Sequence, residues 1–185
     1  SGTQDSDWTI KRLLDWTSGF FKSKGLDSAR LGAEILLSEA LRCQRIELYT
    51  RFAEVPDDDV LATYRDWVKR HAAGEPVAYL VGSKEFYSLK FEVDSRVLIP
   101  RPETEHVVIA AIDAVKSMDR ETVAIVDVGT GSGCIAITLA TQLPQARFLA
   151  TDVRASAIEL ASSNAARHQM ESRIEFVVGD LLAPV

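Results

Sequence analysis

Between Trp8 and Ala73 the apolar positions recur every three to four residues, the spacing that gathers them on one face of an α-helix. Ile10, Leu13, Leu14, Thr17 and Phe21 make one stripe, and Gly25 follows as a stop, since helices end readily on a left-handed residue. Asp27 or Ser28 is placed to cap a second helix carrying Ala33, Leu36, Leu37, Ala40 and Leu41, and a short turn of helix is expected around 46–52. After Pro56, the acids Asp57, Asp58 and Asp59 stand where a helix dipole favours negative charge. Val60, Tyr64, Trp67, Val68 and His71 then repeat at helical spacing as far as Gly74. The pattern predicts a small helical bundle over 1–74. Trp8, Trp16 and Trp67 are expected in its core or half buried against it, and His71 as a solvated or capping side chain. A bundle of this size ahead of a different domain is equally a docking surface, and composition does not choose between the two.

From Glu75 the helical period gives way to alternation, with Tyr87, Leu89, Phe91 and Val93 on one face and Ser88, Lys90 and Glu92 on the other. The preceding AYLVGSKEF reads as a strand in which Gly82 marks a turn or bulge, so 75–104 is expected to be a β-hairpin linking two domains. In VLIPRPETE, Pro100 and Pro102 hold the chain extended and remove two N–H donors, a rigid connector that ends on the N-terminus of a helix over 106–115.

Beyond residue 123 the pattern alternates between strand and helix. VAIVDV is apolar but for Asp127, as a buried parallel strand should be; 135–143 then reads as a helix stopped by Pro144, and 147–151 as a second strand. Ser156-Ala-Ile-Glu159 has the form of a capping box for a helix reaching about His168, and 174–178 completes a third strand. Strand, helix, strand, helix, strand is the opening half of a doubly wound α/β sheet, here assigned to 105–185.

Gly129, Gly131 and Gly133 sit where the first of these strands passes into a helix. Glycines there allow a tight turn and leave bare backbone at the positive end of the helix, open to the close approach of a ligand. Asp152 ends the next strand, the place from which an acid holds a ribose through its hydroxyls, so the combination points to a nucleoside ligand.

A net charge of −6 and 46% hydrophobic residues describe an acidic globular chain with no basic stripe, and no direct nucleic-acid partner is expected. No apolar run is long enough to span a bilayer, and SGTQDSD at the start lacks the form of a signal peptide, so no membrane association and a cytoplasmic location are expected. Cys43 and Cys134 lie in unrelated contexts, which argues against a disulfide framework or a metal site.

The dinucleotide fingerprint needs its third glycine at position 134, which is Cys134; the glycine comes one residue earlier. This spacing disfavours NAD and resembles motif I of the class I S-adenosylmethionine-dependent methyltransferases, whose D-x-G-x-G-x-G loop passes under the amino-acid part of the cofactor. Asp127 then stands near the cofactor ammonium, or caps the loop's own N–H groups, or both. GEPVAYLVGSKEFYSLKFEVDSRVLIPRPETE, DVGTGSGCIAI, ATDVRASAIELASSNAARH and the final GD together resemble the HemK/PrmC family of protein-glutamine methyltransferases, over about residues 29–180. The resemblance implies methylation of the side-chain amide of glutamine in the Gly-Gly-Gln motif of class 1 peptide-chain release factors, with S-adenosyl-L-methionine as cofactor. It also implies that Asp127, Gly129, Thr130, Gly131, Ser132, Gly133, Asp152 and the adjoining Val153 bind that cofactor. Asp180 or Leu181 is implied beside its adenine, Arg101 and Pro102 of RPETE at the border of its pocket, and the N-terminal helices as a release-factor-binding domain.

One departure bears on activity. The family carries an Asn-Pro-Pro-Tyr motif that positions the target amide, a poor nucleophile that depends on orientation. The sequence has one asparagine, Asn164, inside a predicted helix. No catalytic residue is therefore assigned, and a C-terminally truncated methyltransferase with negligible transfer activity is expected. An unpaired edge on the strand over 123–128 is expected too, leading to self-association, a covering neighbour or disorder in the loop. The alternatives are a nucleic-acid amino-methyltransferase, an NAD-dependent oxidoreductase and a non-catalytic binding module.

Overall fold

A computed structural model describes residues 8–118 and 120–183. The readings made on the first seven residues lie outside the described residues. The chain divides into two compact units, Ser1–Val81 and Gly82–Val185.

The first unit holds α1 (Ile10–Ser23), α2 (Ala29–Leu41), α3 (Arg45–Thr50), α4 (Asp58–Ala72) and α5 (Val77–Val81). Most of the helical stripes do what their spacing dictates: Ile10, Leu13, Leu14 and Phe21 of α1 bury against Ala33, Leu36 and Leu37 of α2, closed by Leu48, Leu61, Tyr64, Val68 and Leu80, with Leu61 in the core where the α4 stripe predicts Val60. Thr9 caps α1, its hydroxyl accepting from Arg12 N at 3.3 Å. Asp57 occupies the N-cap of α4, with Asp58 and Asp59 in the first turn and Lys69, Arg70 and His71 in the last, so charge follows the dipole at both ends. Half-buried His71 bonds the Glu75 carbonyl through Nδ1 at 2.7 Å and sets its ring edge-on to Phe21. Two expectations change. Ser28 is the N-cap of α2, but its side chain makes no capping bond. Trp8 and Trp67 are half buried as expected, whereas Trp16 lies off the buried stripe, 52% exposed, stacked on Phe20 and edge-on to Trp8.

The stretch read as the first hairpin strand divides at Gly82. Residues 77–81 are the helix α5, and only Ser83–Phe86 is strand. Pro76 starts the helix, its carbonyl accepting from Tyr79 and Leu80, and Gly82 at φ +70° ends it; Leu80 is buried in the helical core, and that packing overrides the strand propensity of VAYLV.

The second unit begins with β1 (Ser83–Phe86) and β2 (Leu89–Glu92), an antiparallel hairpin paired Phe86 to Leu89 and Ser83 to Glu92. Tyr87 and Ser88, both at positive φ, make its two-residue turn, so Tyr87 is a turn residue and the alternation begins at Leu89. Phe86 and Phe91 join the core formed with α6 (Glu105–Ser117) and α7 (Cys134–Gln142), which makes the hairpin a layer of this unit instead of a linker over 75–104. The RPETE segment forms a single 3-10 turn, Pro102–Thr104, running into α6, and Glu105 accepts from the Tyr87 amide at 2.9 Å, tying the hairpin turn to that helix start.

Three parallel strands follow: β3 (Val123–Val128), β4 (Ala146–Asp152) and β5 (Ile174–Val178), in the order β3-β4-β5, with α7 and then α8 (Ala155–Arg167) between them. The register pairs Asp127 with Ala150 and Thr151 with Val177. This is half of a Rossmann-like doubly wound sheet. Its core is Ala136, Ile137, Leu139, Ala140, Leu143, Phe148, Ala150 and Ile174. The expected capping box at 156–159 is absent, because α8 begins two residues earlier, at Ala155 after the N-cap Arg154, which leaves Ser156 inside the helix. Among the described residues no helix is long and apolar enough to cross a membrane.

Candidate ligand site at the strand ends

Parallel strands running side by side bring their carboxyl ends to one edge of the sheet, where loops leave for the following helices. Asp127 at the end of β3, the loop of Gly129, Thr130, Gly131, Ser132 and Gly133, Asp152 with Val153 at the end of β4, and Asp180 with Leu181 beyond β5 all fall there.

Hydrogen bonds join most of them. Gly129 N and Thr130 N both donate to the Thr151 carbonyl, at 2.8 and 2.9 Å, folding the loop across the end of β4. Buried Asp127 accepts from the Thr130 hydroxyl at 2.7 Å and from Ala136 N at 3.3 Å, so it caps α7 from the neighbouring strand. Asp152, also buried, accepts from Gly131 N at 3.1 Å through Oδ2 and from Arg154 N at 3.0 Å through Oδ1. Its carbonyl takes the Gly179 N–H at 3.0 Å, and the hydroxyl of buried Thr151 donates to the Leu181 carbonyl at 3.2 Å. Leu181 is held at φ +49°, with its side chain exposed, as are those of Val153, Val178 and Leu182. Asp180 is exposed and its carbonyl closes the turn to Ala183. Arg101 and Pro102 do not join this hydrogen-bonded group; they are exposed where the 3-10 turn starts, and the Arg101 carbonyl accepts from Thr104.

The three glycines answer to different demands. All have positive φ: +75° at Gly129, +56° at Gly131 and +80° at Gly133. A methyl group built on Gly129 would meet nothing within 4 Å, and one on Gly131 only the Gly129 carbonyl at 3.9 Å. Those two positions face open space, the room a ligand needs to lie on backbone. Gly133 faces inward, where a Cβ would stand 2.8 Å from Ile137 Cδ1 and 3.3 Å from Ala161 Cβ. It is a packing glycine that lets α8 close over the loop.

Charge at the site is negative. Burial pushes the Asp127 carboxyl above its ordinary value; the Thr130 hydroxyl and the Ala136 N–H oppose the rise, and the charge of Asp152 adds to it. Exposed Arg154 approaches Asp152 at 3.8 Å. Burial also lifts the Cys134 thiol to about 11, so it stays protonated at neutral pH and is no nucleophile there. Two carboxylates bracketing a bare backbone loop suit a ligand with a hydroxylated sugar at one end and a cation at the other.

The sequence context of Asn164 predicts a helix and attaches no role to the residue. It is wholly buried, and its amide reaches both Glu92 of β2 and the Ser132 carbonyl of the loop. A lone polar residue among Ala161 and Ala165 of a buried helix face is the signal that could have found it. An apolar pocket of about 350 Å³ lies elsewhere, on the helical unit, lined by Trp8, Leu13, Trp16, Phe20, Tyr64 and Val68.

Residues 12–82 match the model of the PrmC N-terminal domain, and residues 110–185 that of the methyltransferase small domain. A release factor glutamine methyltransferase of Rhodopirellula baltica is 46% identical over 97% of this chain and 61% of its own length. Proteins of the same name from Chlorobaculum tepidum and Geobacter sulfurreducens are 43% and 42% identical, over 97% and 96% of this chain and 62% and 61% of theirs. The chain thus spans about three fifths of the length of these curated relatives, 61% of the first. Among solved structures it resembles a SAM-dependent methyltransferase from Agrobacterium tumefaciens, 18% identical, with a TM-score of 0.46 over 54% of this chain and 32% of that one. It also resembles an RNA methyltransferase from Salinibacter ruber in complex with S-adenosyl-L-homocysteine, 25% identical, with a TM-score of 0.38 over 46% of this chain and 52% of that one.

Proposed function

We propose that the chain is a member of the PrmC family, with the family's N-terminal domain followed by a methyltransferase domain, and that it is the cofactor-binding part of a release factor glutamine methyltransferase. The reaction is transfer of a methyl group from S-adenosyl-L-methionine to the side-chain amide nitrogen of the glutamine in the Gly-Gly-Gln motif of class 1 release factors, in the cytoplasm. The observation that carries the reading is the pair of bare glycines, Gly129 and Gly131, opening between the buried carboxylates Asp127 and Asp152.

Each residue has a part. S-adenosyl-L-methionine supplies a methyl group activated on a sulfonium. Asp127 and the loop from Gly129 to Gly133 carry the amino-acid end of the cofactor, the buried negative charge favouring its cationic centres. Asp152 takes the ribose hydroxyls. Exposed Val153 and Leu181 offer apolar surface to the adenine, with Asp180 beside it, and Arg101 and Pro102 border the pocket. No residue of this chain is assigned to catalysis, since the 185 residues hold no Asn-Pro-Pro-Tyr to orient the amide. The N-terminal unit is the release-factor-binding domain, and its apolar pocket beside exposed Trp16 supports that reading.

Calorimetric titration with S-adenosyl-L-homocysteine and with NAD tests the cofactor assignment: the first binds and the second does not, and the reverse would overturn it. In a radiolabelled methyl-transfer assay on a release factor, this chain gives negligible turnover beside a full-length relative; comparable turnover would refute the statement that none of its residues is catalytic. Val126 and Val128, 37% and 41% exposed, lie on β3 at one edge of the described sheet, and through this edge the chain self-associates. Sedimentation showing only monomer at tens of micromolar would exclude it.

A further inference from the structure

Asn164 is the only asparagine in the chain, and its side chain is fully buried at the start of the last turn of α8. Both donors of its amide and its oxygen are engaged. Oδ1 accepts from Glu92 N at 2.8 Å, while Nδ2 donates to the Glu92 carbonyl at 3.0 Å and to the Ser132 carbonyl at 2.9 Å. The two bonds to Glu92 imitate one rung of a β-ladder, so the side chain stands where a further strand would continue the hairpin. The third bond reaches the glycine loop.

That third bond matters because of what the same peptide does on its other side. In a trans peptide the C=O and N–H point in opposite directions. The carbonyl of the Ser132–Gly133 peptide is held by Asn164, and its N–H donates to the Thr130 carbonyl at 2.9 Å. The plane is pinned at both ends, in the loop whose backbone faces the open space at Gly129 and Gly131. Released from Asn164, the Ser132 carbonyl is a buried acceptor with no partner, and rotation of the peptide is the way for it to find one. Rotation would also break the Thr130–Gly133 bond and change the surface the loop presents.

We propose that Asn164 is a positioning residue for the ligand loop: one amide locks the Ser132–Gly133 peptide and fastens it to the end of β2, so that the cradle and the hairpin keep a single relative geometry. Other α8 side chains reach the hairpin without touching the loop. His168 Nε2 donates to the Lys90 carbonyl at 3.0 Å, and Arg167 pairs with Glu92 at 3.7 Å. Asn164 alone, among these three, spans both. The consequence for S-adenosyl-L-methionine rests on the function proposed above; the locking of the peptide does not.

The test uses NMR amide exchange on the 185-residue chain, with calorimetry beside it. In the wild-type protein both Nδ2 protons of Asn164 exchange slowly, and a single asparagine makes their assignment unambiguous. In Asn164→Ala and Asn164→Asp, neither of which can donate to Ser132, the Gly133 amide exchanges at least about tenfold faster relative to the Ala150 amide of β4, and S-adenosyl-L-homocysteine binds about tenfold more weakly. His168→Ala changes neither ratio. Fast exchange of either Nδ2 proton in the wild type overturns the proposal, and so does a Gly133 rate that rises only in step with Ala150. If both variants fail to fold, the wild-type Nδ2 protons decide. If the wild type binds no S-adenosyl-L-homocysteine, the cofactor reading falls while the exchange ratios still judge the clamp.

Discussion

Replacing Gly133 by alanine sets two costs against each other in one residue. The first is conformational. At φ +80° an L-residue is strained by about 1–2 kcal/mol. Gly131, at φ +56°, bears the same cost and little else, since its nearest neighbour to a new methyl group is a carbonyl 3.9 Å away. The second cost belongs to Gly133 alone. Its new Cβ would stand 2.8 Å from Ile137 Cδ1, which can swing aside, and 3.3 and 3.5 Å from Ala161 Cβ and Cα, which move only if α8 moves. Overpacking of this kind costs about 1–3 kcal/mol. Gly133→Ala should therefore destabilise the second unit by about 2–5 kcal/mol and Gly131→Ala by about 1–2 kcal/mol. The ligand effects run the other way in relative terms, because the methyl group of Gly131→Ala projects into the open face where the cofactor is proposed to lie. All three tryptophans belong to the first unit, so their fluorescence would miss the event. Urea unfolding followed by the exchange of the Phe148 and Ala150 amides reports on the right core. Equal stability of the two variants would mean that α8 is not seated on the loop at Ala161, and the packing argument would fail.

Asp152→Asn should weaken S-adenosyl-L-homocysteine binding by about 10- to 100-fold, the worth of hydrogen bonds to a charged acceptor, and unchanged calorimetric affinity would remove the ribose from that carboxylate. Asp127 has a folded-state pKa raised above its ordinary 3.8, chiefly by burial, so the folded protein holds its proton more tightly than the unfolded chain, and this group's contribution to stability declines as pH rises from about 3.8 through the higher folded value. The stability of Asp127→Asn relative to wild type should then improve from acid to neutral pH in urea titrations; the opposite trend would refute the sign. Glu34 is the converse case. Burial raises its pKa, but the hydrogen bonds from Tyr49 and from Arg30 at 2.8 Å outweigh that, so its stabilising contribution is present above the ordinary 4.5 and lost as pH falls through the lowered value. Glu34→Gln should cost the helical unit about 2–4 kcal/mol near neutral pH and less in acid, read by tryptophan fluorescence, and a constant difference across pH would argue against an ionised Glu34.

Periodicity, helix caps and glycine spacing are local properties, and they carried far here. The stripes of α1, α2 and α4, the strands Val123–Val128 and Ile174–Val178, and the junction of strand, glycine loop and helix were all legible, because burial on one face leaves a repeat in the chain. The sequence by itself also determined that a glycine loop follows Asp127 and that an acid ends the next strand. What it left undecided depends on partners distant along the chain. VAYLV became a helix because Leu80 found the helical core, and Glu34, written as a polar residue between two apolar ones, is buried because Arg30, Arg45 and Tyr49 meet it from two helices. The equal spacing of Gly129, Gly131 and Gly133 conceals a division of labour that appears only when Ala161 arrives from α8. Asn164 is the sharpest instance: its three bonds join residues 72 and 32 positions away, and no local pattern encodes a contact whose free energy arises only when the tertiary fold has shut out the water that would otherwise compete for it.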